Sequence, residues 1–437
     1  MGLLYRLFSY LVLGALMPLL WLHPKVRRGQ RRRFGWYPST PWPRARSTSA
    51  EPPGAGGGPR IWLHGASAGD LNALAPIISE LRRRLPAATL VVSTMTNSGL
   101  VAAARLEKDV DGVTYVPWDL PGATRRAVAA IQPDLLVLEY AEIWPNLIAA
   151  VHARGGRVAV TNGRFSERLI GRYQALYRTL GNPLLLVDLL LMREEVEAER
   201  ARLLGAPKER VVVTGNTKFD NLAKAPRPEV VAALSAALGT DDAPVFVAGS
   251  THDGEERDVI RAFRGMREVC PELRMIVAPR YTERGPKVLA LVEAEGLVGA
   301  LKSEIAAGRR SPGGMDVLVL DTIGELVAAY QRATLVFVGG SFVTRGGQNI
   351  LEPAGIGRPV LFGPYMMNFR DSVEVLLGRG GIQVQTAEQL EQLARELLAK
   401  PEECVRLGAM AQAAVQKVSG ASARNAEALV DLVQRGR

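Results

Sequence analysis

The sequence is poor in the residues that build disulfide or metal scaffolds. Among its 437 residues there are two cysteines, Cys270 and Cys404, and four histidines. Neither cysteine has another cysteine or a histidine at the spacing of a metal site, so we expect both to be buried, reduced thiols and we expect no metal. Zinc-binding and disulfide-rich scaffolds are thereby excluded.

Acidic residues are fewer than basic ones, 44 against 54, and the formal net charge is +10. With 47% hydrophobic and 22% charged residues the chain has the composition of a folded protein. The excess positive charge predicts an anionic partner, which would be lipid, nucleic acid or a phosphorylated substrate. Because arginines are concentrated beside an apolar N-terminus, we favour anionic lipid and expect no nucleic acid.

Residues 1–35 combine an apolar run with a basic flank. Leu7–Leu22 contains no charged residue and approaches the about 20 residues that span a bilayer. The basic cluster, from Lys25 to Arg33, follows the run, whereas a cleaved signal peptide carries its positive charge first. We therefore expect an uncleaved anchor, with the body of the protein cytoplasmic and the basic cluster against anionic headgroups. Pro18 and the short length leave open a helix that lies in the interface instead of crossing it.

Short apolar runs alternate with amphipathic stretches along the rest of the chain. This alternation is typical of parallel strands joined by crossover helices, and it predicts a doubly wound, Rossmann-like α/β domain over residues 60–216 and a second over residues 243–437. Residues 217–242 are predicted to link the domains, and residues 36–59, rich in Pro, Gly and Ser, to form a flexible tether. We expect the two domains to face each other across a cleft. The helical stretch after Thr386 is long enough to cross back to the first domain.

Dense polar clusters directly follow the predicted strands. Open parallel sheets bind ligands at the carboxyl ends of their strands, so these clusters are expected to place the chemistry at one rim of each sheet. The clusters are HGASAGD, STMTNSG, EYAEIWPN, TNGRFSER and GNTKFD in the first domain, and AGSTHDGEE, APRYTER, LDTIGEL, VGGSFVTRGGQNILEP and FGPYMMNF in the second.

The first cluster, HGASAGD at 64–70, delivers Asp70 to the start of a predicted helix. A carboxylate in the first helical turn is favoured by the free backbone N–H groups there, so Asp70 can be an ordinary helix cap. The preceding GASAG favours the alternative of a reacting group, because small residues let a ligand approach the backbone closely. His64 is interpreted as a core or supporting histidine, since no partner stands at metal-ligand spacing.

Residues 338–364 contain two glycine-rich turns after a strand. The second turn is predicted to open a helix whose first turn presents Asn349 and Glu352. Backbone N–H groups in such a turn bind a phosphate, and a carboxylate one turn into the helix accepts hydrogen bonds from a ribose diol. The alternative is a tight structural turn with a capping glutamate, but Arg345 beside the glycines adds a cation that such a turn does not need. The run matches neither a P-loop nor a GxGxxG fingerprint.

These motifs together resemble those of the bacterial 3-deoxy-D-manno-octulosonic acid (Kdo) transferases, over nearly the whole chain including the anchor and its basic flank. The motifs that carry the resemblance are HGASAGD, EIWPN, GNTKFD, GSTHDGEE, APRYTER, DTIGEL and GGSFVTRGGQNILEPAGIGRPVLFGP. The resemblance implies a GT-B type enzyme with two facing Rossmann-like domains and an N-terminal anchor. It further implies metal-independent, inverting transfer of Kdo from CMP-Kdo to a lipid A precursor in lipopolysaccharide biosynthesis. No cofactor is expected, and the location implied is the cytoplasmic side of the inner membrane.

The resemblance also implies roles for individual residues. Asp70 matches the general base, while Glu142 and Lys218 match groups that act on the transition state. The predicted substrate-binding residues are Pro279, Arg280, Ile323, Gly324, Glu325, Ser341, Asn349, Ile350, Leu351 and Glu352.

The sequence departs from the family pattern at four of these positions or their neighbours. Asp70 stands where the family usually has glutamate, and Tyr140 stands where it usually has another acid. Tyr281 and Gln348 replace residues that are usually histidines. Two further hypotheses therefore stay open: a related transferase with a different sugar or acceptor, and a catalytically weak relative that binds a nucleotide or a lipid as a scaffold.

Overall fold

The computed structural model describes residues 3–23, 28–37, 58–220, 226–239 and 242–435. Their contacts divide the chain into two compact units. Unit 1 comprises the described residues of Met1–Asn221 and Ser419–Arg437, and unit 2 comprises those of Leu222–Val418. Each unit is built around a parallel sheet of seven strands within the described residues, so two Rossmann-like α/β units are present as the sequence predicts.

The sheet of unit 1 has the strand order β3-β2-β1-β4-β5-β6-β7, and every pairing is parallel. Its strands are β1 (Arg60–His64), β2 (Thr89–Thr94), β3 (Gly112–Tyr115), β4 (Leu135–Glu139), β5 (Arg157–Gly163), β6 (Leu189–Met192) and β7 (Val211–Val213). The order reverses between β1 and β4, and a crevice forms outside the carboxyl ends of strands at such a switch point.

Helices join these strands and cover both faces of the sheet. They are α1 (Leu3–Leu22), α2 (Gln30–Arg33), α3 (Ala68–Arg84), α4 (Asn97–Ala104), α5 (Pro121–Ile131), α6 (Pro145–His152), α7 (Ile170–Leu180) and α8 (Glu195–Leu203). Residues of β1 alternate between two apolar cores, with Ile61 and Leu63 in one and Trp62 in the other. This period of two is expected for a strand covered by helices on both faces.

The sheet of unit 2 has the order β10-β11-β9-β8-β12-β13-β14, again parallel, and it reverses between β8 and β12. Its strands are β8 (Val245–Thr251), β9 (Arg274–Pro279), β10 (Gly299–Leu301), β11 (Val317–Val319), β12 (Leu335–Val338), β13 (Val360–Phe362) and β14 (Gly381–Gln383). Its helices are α9 (Pro228–Leu238), α10 (Glu256–Met266), α11 (Gly285–Ala294), α12 (Lys302–Ala306), α13 (Leu326–Arg332), α14 (Leu351–Gly355), α15 (Arg370–Leu376), α16 (Ala387–Leu398) and α17 (Pro401–Val418).

The last helix, α18 (Ala421–Gln434), belongs to unit 1 and not to the second domain, to which residues 243–437 were assigned from the sequence. Leu429 and Val433 lie in the same apolar core as Leu74 of α3, so burial of the apolar face of α18 explains its return. The predicted linker also begins later than expected, because residues 217–220 pack within unit 1. Both cysteines are free and buried, which confirms that prediction.

Helix α1 packs on unit 1 through side chains four residues apart: Tyr5, Ser9, Leu13 and Met17. The Tyr5 hydroxyl donates a hydrogen bond of 2.8 Å to Asp119, and the serine hydroxyl accepts one from the first turn of α6. The last two pack against a small apolar cluster beside α5. The opposite side of α1 exposes Leu4, Leu7, Phe8, Leu11, Leu19 and Leu22.

Among the described residues, no helix combines the length and the apolar character needed to cross a bilayer. The basic flank is only partly accessible to a membrane, because Arg33 is fully buried. Its guanidinium donates to the carbonyl oxygen of Met95 at 2.6 Å and lies 4.2 Å from the ring centroid of Tyr115. The prediction that Arg33 contacts headgroups is therefore wrong. Lys25, and most of the predicted tether, lie outside the described residues.

Candidate functional site

The carboxyl ends of β1 and β4 open onto a depression in unit 1, which we call the unit 1 depression. It is lined by Gly69, Asp70, Tyr140, Ala141, Arg164 and Lys218. The residues come from the loops after β1, β4, β5 and β7, so the strand order brings four separate motifs of the sequence to one place. Two of the three predicted catalytic residues, Asp70 and Lys218, lie in it.

Asp70 is both a helix cap and a residue of the unit 1 depression. Ser67 is the N-cap of α3, and the two residues form a capping box in which the Ser67 N–H donates to Asp70 Oδ2 at 2.8 Å. The second oxygen, Oδ1, has no hydrogen-bond partner among the described residues. The cap interpretation is therefore confirmed, and one carboxylate oxygen remains available to a ligand.

Lys218 lies on a 3-10 turn, Thr217–Asp220, that is held from two sides. Its N–H donates to Asn216 Oδ1 at 3.1 Å, and the Asp220 carboxylate accepts hydrogen bonds from the N–H groups of Gly420 and Ser422 at the start of α18. The exposed ammonium group lies 6.0 Å from the ring centroid of Tyr140. The turn thus presents a cation to the depression from a fixed backbone.

Glu142, the third predicted catalytic residue, does not line the unit 1 depression. Its Oε2 accepts a hydrogen bond of 3.1 Å from the indole N–H of Trp144 and lies 3.8 Å from Nε2 of His64. His64 is fully buried and its Nδ1 lies 3.1 Å from both the carbonyl oxygen and the hydroxyl of Ser93. This agrees with a core or supporting histidine. Within the part of the chain that the structure describes, no group of three His, Cys, Asp or Glu residues is placed to hold a metal ion.

Tyr140 and Arg164 are residues of the depression that the sequence reasoning did not assign to the site. Tyr140 has a φ of 58°, which is costly for a residue other than glycine, and its buried hydroxyl has no hydrogen-bond partner among the described residues. Burial, and the nearby carboxylates of Glu139 and Asp70, raise the pKa of Tyr140. The polar cluster TNGRFSER contained the signal for Arg164, but only the strand order places it beside Asp70.

A second depression lies at the carboxyl ends of the strands of unit 2, and we call it the unit 2 depression. Five of the predicted substrate-binding residues line it: Pro279, Arg280, Ile323, Asn349 and Glu352. Tyr281 and Gln348, which stand where histidines are usual in the family, also line it. An exposed arginine and a half-buried carboxylate are thus present in one space, as recognition of a phosphate and a ribose requires.

Glu352 is the second residue of α14, a helix of only five residues. Its Oε1 accepts a hydrogen bond of 3.1 Å from the side-chain amide of Asn349, which lies before the helix and not in its first turn as predicted. Burial raises the pKa of the Glu352 carboxyl. Burial, and next the charge of Glu352, raise the pKa of Tyr330, which lines the same depression.

The other predicted substrate-binding residues do not line the unit 2 depression. Ile350 and Leu351 are buried. Ser341 is also buried, and its hydroxyl donates to the carbonyl oxygen of Val338 at 2.6 Å and accepts from the N–H of Gly363 at 2.8 Å. The residues not named above are Gly324 and Glu325, which precede α13.

The glycine-rich turn after β12 is held by a buried carboxylate, Glu255 of the GSTHDGEE motif. It accepts hydrogen bonds from the backbone N–H groups of His252, Gly340 and Phe342. The second glycine-rich turn needs φ of 87° and 78° at Gly346 and Gly347, a region that favours glycine, and the Gly347 N–H donates to the carbonyl oxygen of Gly340 in the first turn. Motif residues that touch no depression therefore shape its wall.

The fold and these two depressions define a class of protein built from two Rossmann-like units. A UDP-GlcNAc 2-epimerase structure from Neisseria meningitidis has this fold, with a TM-score of 0.53 and 12% sequence identity over 85% of this chain and 100% of that chain. Within that class, a family model described as 3-deoxy-D-manno-octulosonic-acid transferase (kdotransferase) matches residues 28–221.

Full-length relatives give the same family. A 3-deoxy-D-manno-octulosonic acid transferase from Bordetella pertussis is 32% identical over 432 residues, which are 96% of this chain and 98% of that protein. One from Haemophilus influenzae is 28% identical over 414 residues, which are 94% of this chain and 93% of that protein. The chain belongs to the 3-deoxy-D-manno-octulosonic acid transferases, a family of glycosyltransferases.

Proposed function

We propose that this protein transfers Kdo from CMP-Kdo to a lipid A precursor in lipopolysaccharide biosynthesis. The observation that carries the proposal is the unit 1 depression, which is lined both by Asp70, with its open carboxylate oxygen, and by Lys218, with its ammonium group. The names of the full-length relatives support Kdo as the transferred sugar. The two units would act together as a GT-B transferase, with unit 1 serving the acceptor and unit 2 the donor.

The proposed reaction is a single, inverting displacement. The acceptor hydroxyl forms the new glycosidic bond while the bond from Kdo to the CMP phosphate breaks, and the hydroxyl proton passes to Asp70. The leaving phosphate takes the electron pair of the broken bond and needs nearby positive charge, which Lys218 and Arg280 supply. CMP carries one phosphate and no pyrophosphate, so these cations and backbone N–H groups suffice without a divalent metal. Glu142 acts on the transition state.

The unit 2 depression is proposed to bind the CMP part of the donor. Arg280 is exposed there and suits a phosphate, because a guanidinium donates two parallel hydrogen bonds to an oxyanion. Glu352 suits the ribose, since its carboxylate accepts hydrogen bonds from a diol. The side-chain amide of Asn349 fixes the orientation of that carboxylate.

The decisive experiment is incubation of the purified protein with CMP-Kdo and a tetra-acylated lipid A precursor, followed by mass spectrometry. We expect the acceptor to gain one or more Kdo residues. Turnover only with another sugar nucleotide would indicate the related transferase instead. Binding of CMP without turnover of any donor would favour a scaffold.

We also propose that the protein associates with the inner membrane through α1, lying in the interface, and acts from the cytoplasmic side. One side of the helix is used up by packing on unit 1, while the other exposes an apolar stripe that includes Leu7 and Leu11. Exposed arginines near it, Arg28, Arg31 and Arg32, suit anionic headgroups.

The double variant Leu4→Glu/Leu11→Glu tests this location, because it changes two of the most exposed residues of the stripe and neither lines the groove between α1 and the helices α5 and α6. We expect it to lose binding to vesicles that contain anionic lipid, with the melting temperature retained. Deletion of residues 1–23 is the matched comparison, since it removes α1 and keeps the buried Arg33. Unchanged vesicle binding by both variants would contradict the proposal.

A further inference from the structure

Glu139 is a buried carboxyl group that no step of the proposed reaction uses. It ends β4, directly before Tyr140, and its side chain is fully buried. A buried carboxyl is costly unless it is hydrogen-bonded, so its presence beside the unit 1 depression needs a reason. That reason lies in the residues it contacts.

Glu139 begins a continuous chain of hydrogen bonds. Its oxygens lie 2.6 Å from the hydroxyl of Thr161 and 2.6 Å from the side-chain amide nitrogen of Asn162. Asn162 in turn lies 2.7 Å from the hydroxyl of Thr217, and its amide oxygen accepts a 3.0 Å hydrogen bond from the Thr217 N–H. The Thr217 hydroxyl then donates to the carbonyl oxygen of Ala73 at 2.9 Å. All of these side chains are fully buried.

The ends of this chain of bonds are the backbone segments that carry the two proposed catalytic residues of the depression. Thr217 immediately precedes Lys218, and Ala73 lies within one turn of Asp70 on α3. In the middle, Asn162 has a φ of 50°, a conformation that persists in a residue other than glycine only where the surroundings hold it. The bonds to Glu139 and Thr217 hold it here.

We propose that Glu139 is a positioning residue that, through Asn162 and Thr217, sets the Lys218 turn against the helix that carries Asp70. This inference rests on the proposed roles of those two residues. Burial raises the pKa of the Glu139 carboxyl to about 8, and the charge of Asp70 adds to the shift, while Arg193 opposes it. The group is therefore mainly neutral at pH 7.

The neutral state makes glutamine the closest mimic of Glu139. The carbonyl oxygen of a glutamine accepts from Asn162, and its amide donates to the hydroxyl of Thr161, which can turn to accept. Alanine removes both contacts. The pair Glu139→Gln and Glu139→Ala thus separates the hydrogen bonds from the mere presence of a side chain.

The test measures kcat, the KM for CMP-Kdo and the dissociation constant of CMP for the full-length variants, at a temperature where circular dichroism shows each to be folded. We expect Glu139→Ala to lower kcat by about 10- to 100-fold, because small displacements of reacting groups are costly. The CMP affinity should stay within about twofold, since CMP is proposed to bind unit 2. Glu139→Gln should keep kcat within about threefold of the wild type.

A second pair of variants tests the far end of the network. Thr217→Val removes the hydroxyl at similar size and should lower kcat like Glu139→Ala, whereas Thr217→Ser keeps the hydroxyl and should retain activity. A folded Glu139→Ala protein with unchanged kcat would overturn the proposal. Equal losses in Glu139→Ala and Glu139→Gln would also overturn it, because the charge and not the hydrogen bonds would then matter. Failure of the proposed function itself is distinguishable, since the wild type would then transfer no Kdo.

Discussion

Unit 1 and unit 2 share a doubly wound topology, but they use their carboxylates differently at the switch point. In unit 2, Glu255 is fully buried and accepts hydrogen bonds from three backbone N–H groups, so both of its side-chain oxygens hold a turn. In unit 1, Asp70 caps a helix with one oxygen and keeps the other free in an open depression. The comparison teaches that a reacting acid differs from a structural one in having a carboxylate oxygen that accepts no hydrogen bond from the protein, more than in its position on the fold.

The most drastic way to break this comparison is Asp70→Asn. The change keeps the size and an oxygen for the capping box but removes the proton acceptor, so we expect turnover to fall by about 10²–10⁴-fold. The measurement is kcat for Kdo transfer by the purified enzyme. The CMP dissociation constant and the melting temperature should hardly move, because neither depends on the free oxygen.

Asp70→Glu is the matched variant, since it restores the residue usual in the family. Turnover that rises would mean that the site was built for the longer acid, and turnover that falls would mean that the GASAG backbone has adapted to aspartate. Full activity of Asp70→Asn would remove Asp70 from the mechanism and return attention to Glu142.

A second variant, Glu139→Gln, sharpens the comparison through stability. The folded-state pKa of Glu139 is raised from 4.5 to about 8, so folding favours the protonated form. The contribution of protonated Glu139 to the free energy of unfolding is fully present below pH 4.5 and is lost as the pH rises to about 8. Between pH 6 and pH 8, we expect the free energy of unfolding of the wild type to fall by about 2 kcal/mol more than that of the variant.

Urea denaturation of both proteins at pH 5, 6, 7 and 8 measures this difference. The variant should have the flatter dependence on pH, and the two curves should converge toward pH 5. Parallel curves across the whole range would show that Glu139 does not take up a proton on folding.

Much of the fold could be predicted from the sequence, because most strands are apolar runs with polar residues at both ends. Strands β6, β10 and β14 are harder to recognise. Strand β6, Leu189–Met192, is separated from the apolar run at 184–187 only by Asp188, so a single residue marks where the strand begins. Strands β10 (Gly299–Leu301) and β14 (Gly381–Gln383) are three residues long, too short for a period to be recognised. The sequence signals that were long and bounded, such as Arg60–His64, were placed correctly.

The site could be predicted only as far as single motifs go. Asp70 and Lys218 each stand in a recognisable motif, but their meeting with Tyr140 depends on which strands are neighbours, and local sequence does not encode that order. A residue that belongs to a motif also need not line the site. Ile350 and Leu351 lie inside the most specific motif, yet both side chains are buried and neither lines the unit 2 depression.

In unit 2 the corresponding test is Glu352→Ala. Loss of a charge-assisted hydrogen bond to the ribose is expected to cost about 1.5–3 kcal/mol, which weakens CMP binding by about 10- to 100-fold. Isothermal titration with CMP measures it. Glu283→Ala is the control, because Glu283 lines the same depression but is exposed, and its carboxylate forms no hydrogen bond or ion pair with another described residue.

Wild-type affinity for CMP in Glu352→Ala would contradict this assignment. Glu352 would then have a structural role, as Glu255 has, and Arg280 and its neighbours would have to bind the donor. If Glu352→Ala binds CMP weakly but transfers Kdo at the normal rate at saturating CMP-Kdo, Glu352 contributes to binding of the donor and not to the chemical step.

The smallest effect separates the two functions of Asp70 itself. Ser67→Ala removes the hydroxyl to which the Asp70 N–H donates at 3.4 Å, and it leaves the carboxylate of Asp70 in the unit 1 depression. Loss of such a cap costs about 1 kcal/mol, which lowers the melting temperature by about 2–4 °C for a domain of this size. Turnover should stay within about twofold, because the Ser67 N–H that orients Oδ2 is a backbone group and remains. Turnover could instead fall as far as in Asp70→Asn while the protein stays folded. In that case Asp70 would need its capping hydrogen bond in order to act as the base, and the structural and the reacting roles of a carboxylate would not be separate in unit 1.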